Sequence, residues 1–181
     1  IGPGDTLLFD VELLGFHEKK KERWEMDDDE KIAEANRLKD EGNAAFKANN
    51  FHEAVSKYNE AAEYVQFVPS ATDLLVACYG NACMALLKLE DWSAALERAN
   101  KALEKDPNNL KVLYRRGVAR GHLGMPEQGL ADLERVLSLD PGNKPAQVEV
   151  QKLRRQIAAA AKREKAAFSG LFNKASVCKM L

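Results

Sequence analysis

The stretch EKDPNNLKVLY at 104–114 returns 34 residues later as SLDPGNKPAQV at 138–148. In both copies an Asp-Pro pair closes a helix-like pattern, and proline cannot continue a helix. The residues before each pair repeat as well. DWSAALERANKALEKDP (91–107) aligns with PEQGLADLERVLSLDP (126–141), and NFHEAVSKYNEAAEYV (50–65) carries Ala54, Tyr58 and Ala61 in the same small-residue pattern. From Ala54 to Ala95 the offset is 41, one period plus seven residues, and the excess falls in the segment 69–75. Each period is long enough for two short helices, and neither helix could bury its apolar stripe without a neighbour.

This 34-residue helix–turn–helix period, with Gly or Ala where helices touch and Pro at the repeat end, resembles the tetratricopeptide repeat (TPR) family. The resemblance implies an all-α fold: three repeats at 35–68, 76–109 and 110–143 in a right-handed superhelix. Consensus-like positions are Leu38, Gly42, Ala54, Tyr58 and Ala61 in the first repeat. Tyr79, Ala95, Ala102 and Pro107 follow in the second, then Leu113, Gly117 and Pro141 in the third, where Gly129 replaces the usual alanine. Residues 144–181 are expected to form a long capping helix, with Leu153, Ile157, Ala160 and Ala161 on its inner face.

Stacked helix pairs make a concave groove lined by each repeat's first helix, so the polar residues there decide the ligand. Lys39 and Asn43 lie four apart in the first repeat, Asn81 and Lys88 seven apart in the second, and Lys111 and Arg115 four apart in the third. The last pair places two like charges on one helix face, which weakens a helix slightly. Several donors without acceptor charges are expected to converge, an arrangement suited to a carboxylate. It resembles the carboxylate-clamp TPR domains, and Lys39, Asn43, Asn81, Lys111 and Arg115 match that motif one by one. The resemblance implies an adaptor that binds the C-terminal Met-Glu-Glu-Val-Asp peptide of Hsp90, or the related Hsp70 tail. Lys88 is then accessory, and Phe46 and Met84 line the groove for apolar side chains.

The front of the chain differs. IGPGDTLLFDVELLGF (1–16) alternates as a single strand does, and resembles the last strand of an FK506-binding-protein (FKBP) prolyl isomerase domain. The charged linker 17–34 leads into the first helix. The order strand, linker, TPR region and terminal helix resembles the large FKBP immunophilins. It implies that this chain is not itself the enzyme, since nearly all of the isomerase domain is absent, and that the localisation is cytoplasmic or nuclear.

Composition sets the outer limits. Of 181 residues, 27 are Lys or Arg and 28 Asp or Glu, for a net charge of −1, so no global field favours nucleic acid. No uninterrupted apolar run of about 18 residues is present, so no membrane span is expected. Cys78, Cys83 and Cys178 lack CxxC spacing, and His17, His52 and His122 lack metal-ligand spacing, so neither metal nor cofactor is expected. The basic tail pairs KREK with Phe168, Leu171 and Phe172, a pattern similar to calmodulin targets. CKML at 178–181 has C-a-a-X form, which would allow prenylation of Cys178. Rival readings are a structural TPR that dimerises, set against a monomer or weak dimer, and a calmodulin-regulated segment of the isomerase.

Overall fold

The computed structural model describes residues 2, 3, 6, 12 and 21–177, with side chains in the last helix as far as Phe168. The expected strand, Cys178, and the side chains of Leu171 and Phe172 lie outside the described residues. Regular structure among the described residues is all helical. It comprises α1 (Asp28–Lys47), α2 (Phe51–Val65), α3 (Thr72–Lys88), α4 (Trp92–Lys105), α5 (Leu110–His122), α6 (Pro126–Leu139) and α7 (Lys144–Val177), with short 3-10 turns at Arg23–Glu25 and Pro69–Ala71. Each helix packs against the next in the chain, α1 on α2 through α6 on α7. The seven extra residues of the first period become the turn at Pro69–Ala71 and the opening turn of α3.

Local chemistry sets the ends of these helices. Asp27 and Glu30 form a reciprocal capping box at the start of α1, where Asp28, Asp29 and Glu30 also face the positive end of the helix dipole. The repeated Asp-Pro motif has a concrete role. Asp106 and Asp140 end α4 and α6 in nearly the same conformation, φ −132°/ψ 88° and φ −138°/ψ 86°. Proline at the next position favours that extended geometry. The Asp106 carboxylate accepts from Asn109 Nδ2 at 3.0 Å, and Asp140 accepts from Asn143 Nδ2 at 3.1 Å. Each asparagine then caps the following helix, Asn109 accepting from Val112 N and Asn143 from Ala146 N. One tetrad thus stops a helix and starts the next.

Two close approaches set the spacing of the pairs. The Tyr58 ring lies over Gly42, where a Cβ would meet Tyr58 Cε1 at 2.7 Å. In the third repeat a Cβ on Gly129 would meet the Gly117 carbonyl oxygen at 2.7 Å and Gly121 N at 3.3 Å. Backbone faces backbone there, which is why glycine stands where the family pattern has alanine. Restoring alanine tests the point. Helix propensity favours Gly129→Ala by up to about 1 kcal/mol, whereas overpacking costs about 1–3 kcal/mol when the obstacle cannot rotate away. Net destabilisation is therefore expected, and a higher thermal midpoint for G129A would show that α5 and α6 can separate freely.

Among the described residues, three apolar clusters hold the stack. One spans α3 to α7 through Val76, Leu103, Leu133 and Leu153; one joins α1, α2 and α3 through Leu38, Val65 and Leu75; a small third unites Ala45, Tyr58 and Ala82. Only α3 gives buried residues to all three. That accounts for its composition: the stretch Pro69–Lys88 is long and apolar enough to cross a membrane, although Asp73 and Asn81 interrupt it. Half of it is buried inside the fold.

The terminal helix corrects one expectation. Ala146, Val150 and Leu153 are buried and Ile157 is half-buried, but Ala160 and Ala161 are exposed. Its inner stripe therefore runs 146, 150, 153, 157. Beyond that, α7 projects past the last repeat, whose two helices are too short to meet it.

Candidate functional site

The first helices of the three repeats, α1, α3 and α5, carry the polar residues singled out above. Arg115 anchors the arrangement. Its Nη1 donates to the Gly80 carbonyl at 2.6 Å, and its Nη2 lies 3.2 Å from the Met84 sulfur, so the guanidinium is fixed across the α3–α5 crossing. Burial presses its pKa down from the usual arginine value, and the nearby Cys83 and Tyr58 oppose that pressure. It remains a cation at neutral pH. Lys111, one turn earlier, is exposed and makes no hydrogen bond or ion pair with another described residue.

Asn81, Lys111 and Arg115 border a cavity of about 300 Å³ between α3 and α5. Asp73 and Asp106 border it as well, so the expected absence of acids is corrected. Asp106 is occupied with the backbone N–H of Asn108 and the amide of Asn109. Asp73 sits in the first turn of α3, where a carboxylate complements the helix dipole. It belongs to the inserted segment, outside the repeat pattern, so no repeat alignment would have pointed to it.

Lys39 and Asn43 do not line this cavity; both lie on α1. Lys39 donates to Asn36 Oδ1 at 2.8 Å. The Asn43 carbonyl oxygen accepts from the Tyr58 hydroxyl at 2.8 Å, while its Nδ2 has only a long 3.3 Å contact to Asp40. The donor end of that amide is thus the end left for a ligand. The two cationic sides flank one patch of α3. Burial pushes the Cys78 thiol up to about 11 against the pull of Lys39. Burial and Cys78 raise Tyr58 against the pull of Arg115. Burial likewise pushes Cys83 up to about 12. Both thiols stay protonated at neutral pH and supply no nucleophile.

A second cavity of about 600 Å³ adjoins the first, sharing Lys111 and Arg115 with it. Met84, Leu87, Leu110, Tyr114 and Val118 make it apolar, and Lys88 stands at its rim. One wall is a stacked pair, Trp92 on His122, with ring centroids 3.9 Å apart and planes 11° from parallel. Another wall is α7, through Glu149 and Lys152. Sequence reasoning missed Trp92, His122, Tyr114 and Glu149, because they come from three helices, α4, α5 and α7, that no single spacing connects. Phe46 lies in neither cavity; it packs edge-on against Phe51, centroids 5.3 Å apart. Arg116 turns away from the groove and binds Asp132 and Asn100, linking α5 to α6 and α4. Phe168 is exposed on the projecting part of α7.

The whole is a groove with one polar end, where Lys111, Arg115 and Asn81 stand among two acids, and one largely apolar end bordered by basic residues. No family model matches the sequence. Human peptidyl-prolyl cis-trans isomerase FKBP4 is 36% identical over 186 residues, covering 96% of this chain and 39% of the relative. The chain therefore spans about two-fifths of the length of such relatives. Among solved structures, the C-terminal TPR-containing domain of a Plasmodium falciparum FK506-binding protein superposes with a TM-score of 0.73 at 29% identity, over 78% of this chain and 99% of that one. The first TPR of Spaghetti (RPAP3), bound to the HSP90 peptide SRMEEVD, gives 0.62 at 30% identity, over 70% and 95%. The second TPR domain of human RPAP3, in complex with the HSP70 peptide SGPTIEEVD, gives 0.62 at 31%, over 68% and 98%.

Proposed function

We propose that this chain, which belongs to the tetratricopeptide-repeat family and is homologous to FKBP4-type prolyl isomerases over 96% of its length, is the chaperone-binding adaptor of such an isomerase. Its ligand is the acidic C-terminal peptide of Hsp90, with the Hsp70 tail as a competitor. The carrying observation is the free Lys111 ammonium beside an Arg115 guanidinium fixed on Gly80, in a cavity that Asn81 completes. Lys39 and the Asn43 amide approach from α1. Together they offer two separated cationic sites, one for a chain-end carboxylate and one for the adjacent Asp side chain. The apolar cavity takes the side chain that precedes the acidic run. Isomerase chemistry belongs to the portion of the relatives that this chain does not span.

Affinity in the micromolar range is expected, because few side chains are buried and the peptide must be ordered. Added salt weakens it, since Lys111 is exposed. The decisive experiment is a calorimetric titration with SRMEEVD as the free acid and as the C-terminal amide. Amidation removes one charge from the end, and at least a tenfold loss is expected. Equal binding of the two forms would overturn the carboxylate reading.

A further inference from the structure

The apolar cavity contains a charge that an acidic peptide end does not use. Its rim carries Lys88, Lys111, Arg115 and Lys152, which all suit an anion, and one carboxylate, Glu149, which does not. Glu149 lies on the second turn of α7 with its side chain only 20% exposed. It is near enough to Tyr114 to reinforce the rise that burial imposes on that hydroxyl's pKa. Its ion-pair partner is Lys152, at 3.2 Å and itself 45% exposed. A pair one turn apart whose cation is largely in solvent contributes little and exchanges readily for a better one. A carboxylate so placed at the far end of a basic groove discourages the ligand's acidic run from sliding into the apolar cavity. It also offers an anion to whatever arrives there first.

The direction of the peptide follows from the two cavities. A chain end held by Asn81, Lys111 and Arg115 leaves along the floor they share with the second cavity, past Met84 and towards α7. The apolar residue before the acidic run then occupies the space between Tyr114 and the Trp92–His122 stack. The next residue upstream meets α7 at Glu149. We infer that Glu149 is a specificity-determining residue that selects a cationic side chain, best an arginine, immediately before that apolar residue. Arginine suits the position because its planar fork pairs with a carboxylate through two parallel hydrogen bonds, which Lys152 cannot do. This inference rests on the peptide-binding reading of the groove.

The test uses the whole chain and three peptides, SRMEEVD, SAMEEVD and SEMEEVD, titrated into wild type, Glu149→Gln and Lys152→Gln. Wild type is expected to bind the arginine peptide about threefold more tightly than the alanine peptide, a fold-change of the size a partly exposed ion pair gives. The glutamate peptide is expected to bind most weakly. Glu149→Gln should bring the arginine and alanine peptides to equal affinity, and Lys152→Gln should widen the arginine preference by freeing the carboxylate. Equal affinity of wild type for the arginine and alanine peptides, or the same preference in Glu149→Gln, overturns the assignment while leaving the clamp intact. Failure of all three peptides to bind overturns the groove reading and this inference with it.

Discussion

Asp132→Ala is expected to lower the thermal midpoint by roughly 10 °C. Asp132 is 5% exposed. It accepts from Arg116 Nη2 at 2.7 Å and Nε at 2.9 Å, and from Arg120 Nη1 at 2.7 Å. Arg116 also reaches Asn100, while the buried Arg120 Nε has no hydrogen-bond partner. One carboxylate therefore pairs with two guanidiniums whose side chains are only about a fifth exposed. Removing it strands both charges, at a cost of about 3–5 kcal/mol. The gain in helix propensity on going from Asp to Ala, at most about 0.7 kcal/mol, is too small to compensate. Circular dichroism melts measure the effect. A midpoint within about 1 °C of wild type would mean that water replaces the carboxylate at no cost. A companion variant, Asp132→Leu with Arg116→Leu and Arg120→Leu, should recover much of the loss, because the damage comes from stranded charge and not from the missing ion pair.

The second large effect is on binding. Lys111→Ala with Arg115→Ala should weaken the acidic peptide on the order of 100-fold, the consequence of losing about 2–4 kcal/mol of charge-assisted contact. The two residues contribute differently. Arg115 is held before the ligand arrives, so little ordering cost falls on it. Lys111 has no scaffold role, and its removal also relieves the like-charge repulsion with Arg115 one turn on. Lys111→Ala alone should therefore lose affinity while its melting midpoint stays level or rises slightly. Arg115→Ala should lose both, since the Gly80 carbonyl and Met84 lose their partner. Calorimetry and melting curves on the same three proteins separate these outcomes. Undiminished binding by the double variant would remove the clamp.

What the sequence announced and what it concealed divide along a physical line. The 34-residue period was legible because it is written in local chemistry. Asp-Pro stops one helix, Asn starts the next, and the alanines at 54 and 61 return at 95 and 102 where neighbouring helices touch. The separation of Arg115 from Arg116 was legible too, since 100° of helical rotation sends one to the groove and the other to Asp132. The reach of α7 was not. Ala160 and Ala161 continue the inner stripe in the sequence, but the repeat beneath them ends first, and periodicity carries no information about where a neighbour stops. The acids beside Lys111 were hidden for a related reason, Asp73 arriving from an insertion and Asp106 doubling as a helix stop. The Trp92–His122 stack joins two helices by contact alone, and no spacing announces it.

Helix α3 has a consequence for how the molecule comes apart. Stacked repeats interact mainly with their neighbours, so a stack can open from either end. Here each apolar cluster among the described residues includes α3, which also holds Arg115 through the Gly80 carbonyl. Opening that starts at α1–α2 or at α6–α7 therefore halts there, and α3 behaves as a keystone whose release coincides with global unfolding. The same helix is one wall of the groove. The ligand thus rests on the part of the fold that lets go last, and fraying at either end leaves that wall standing.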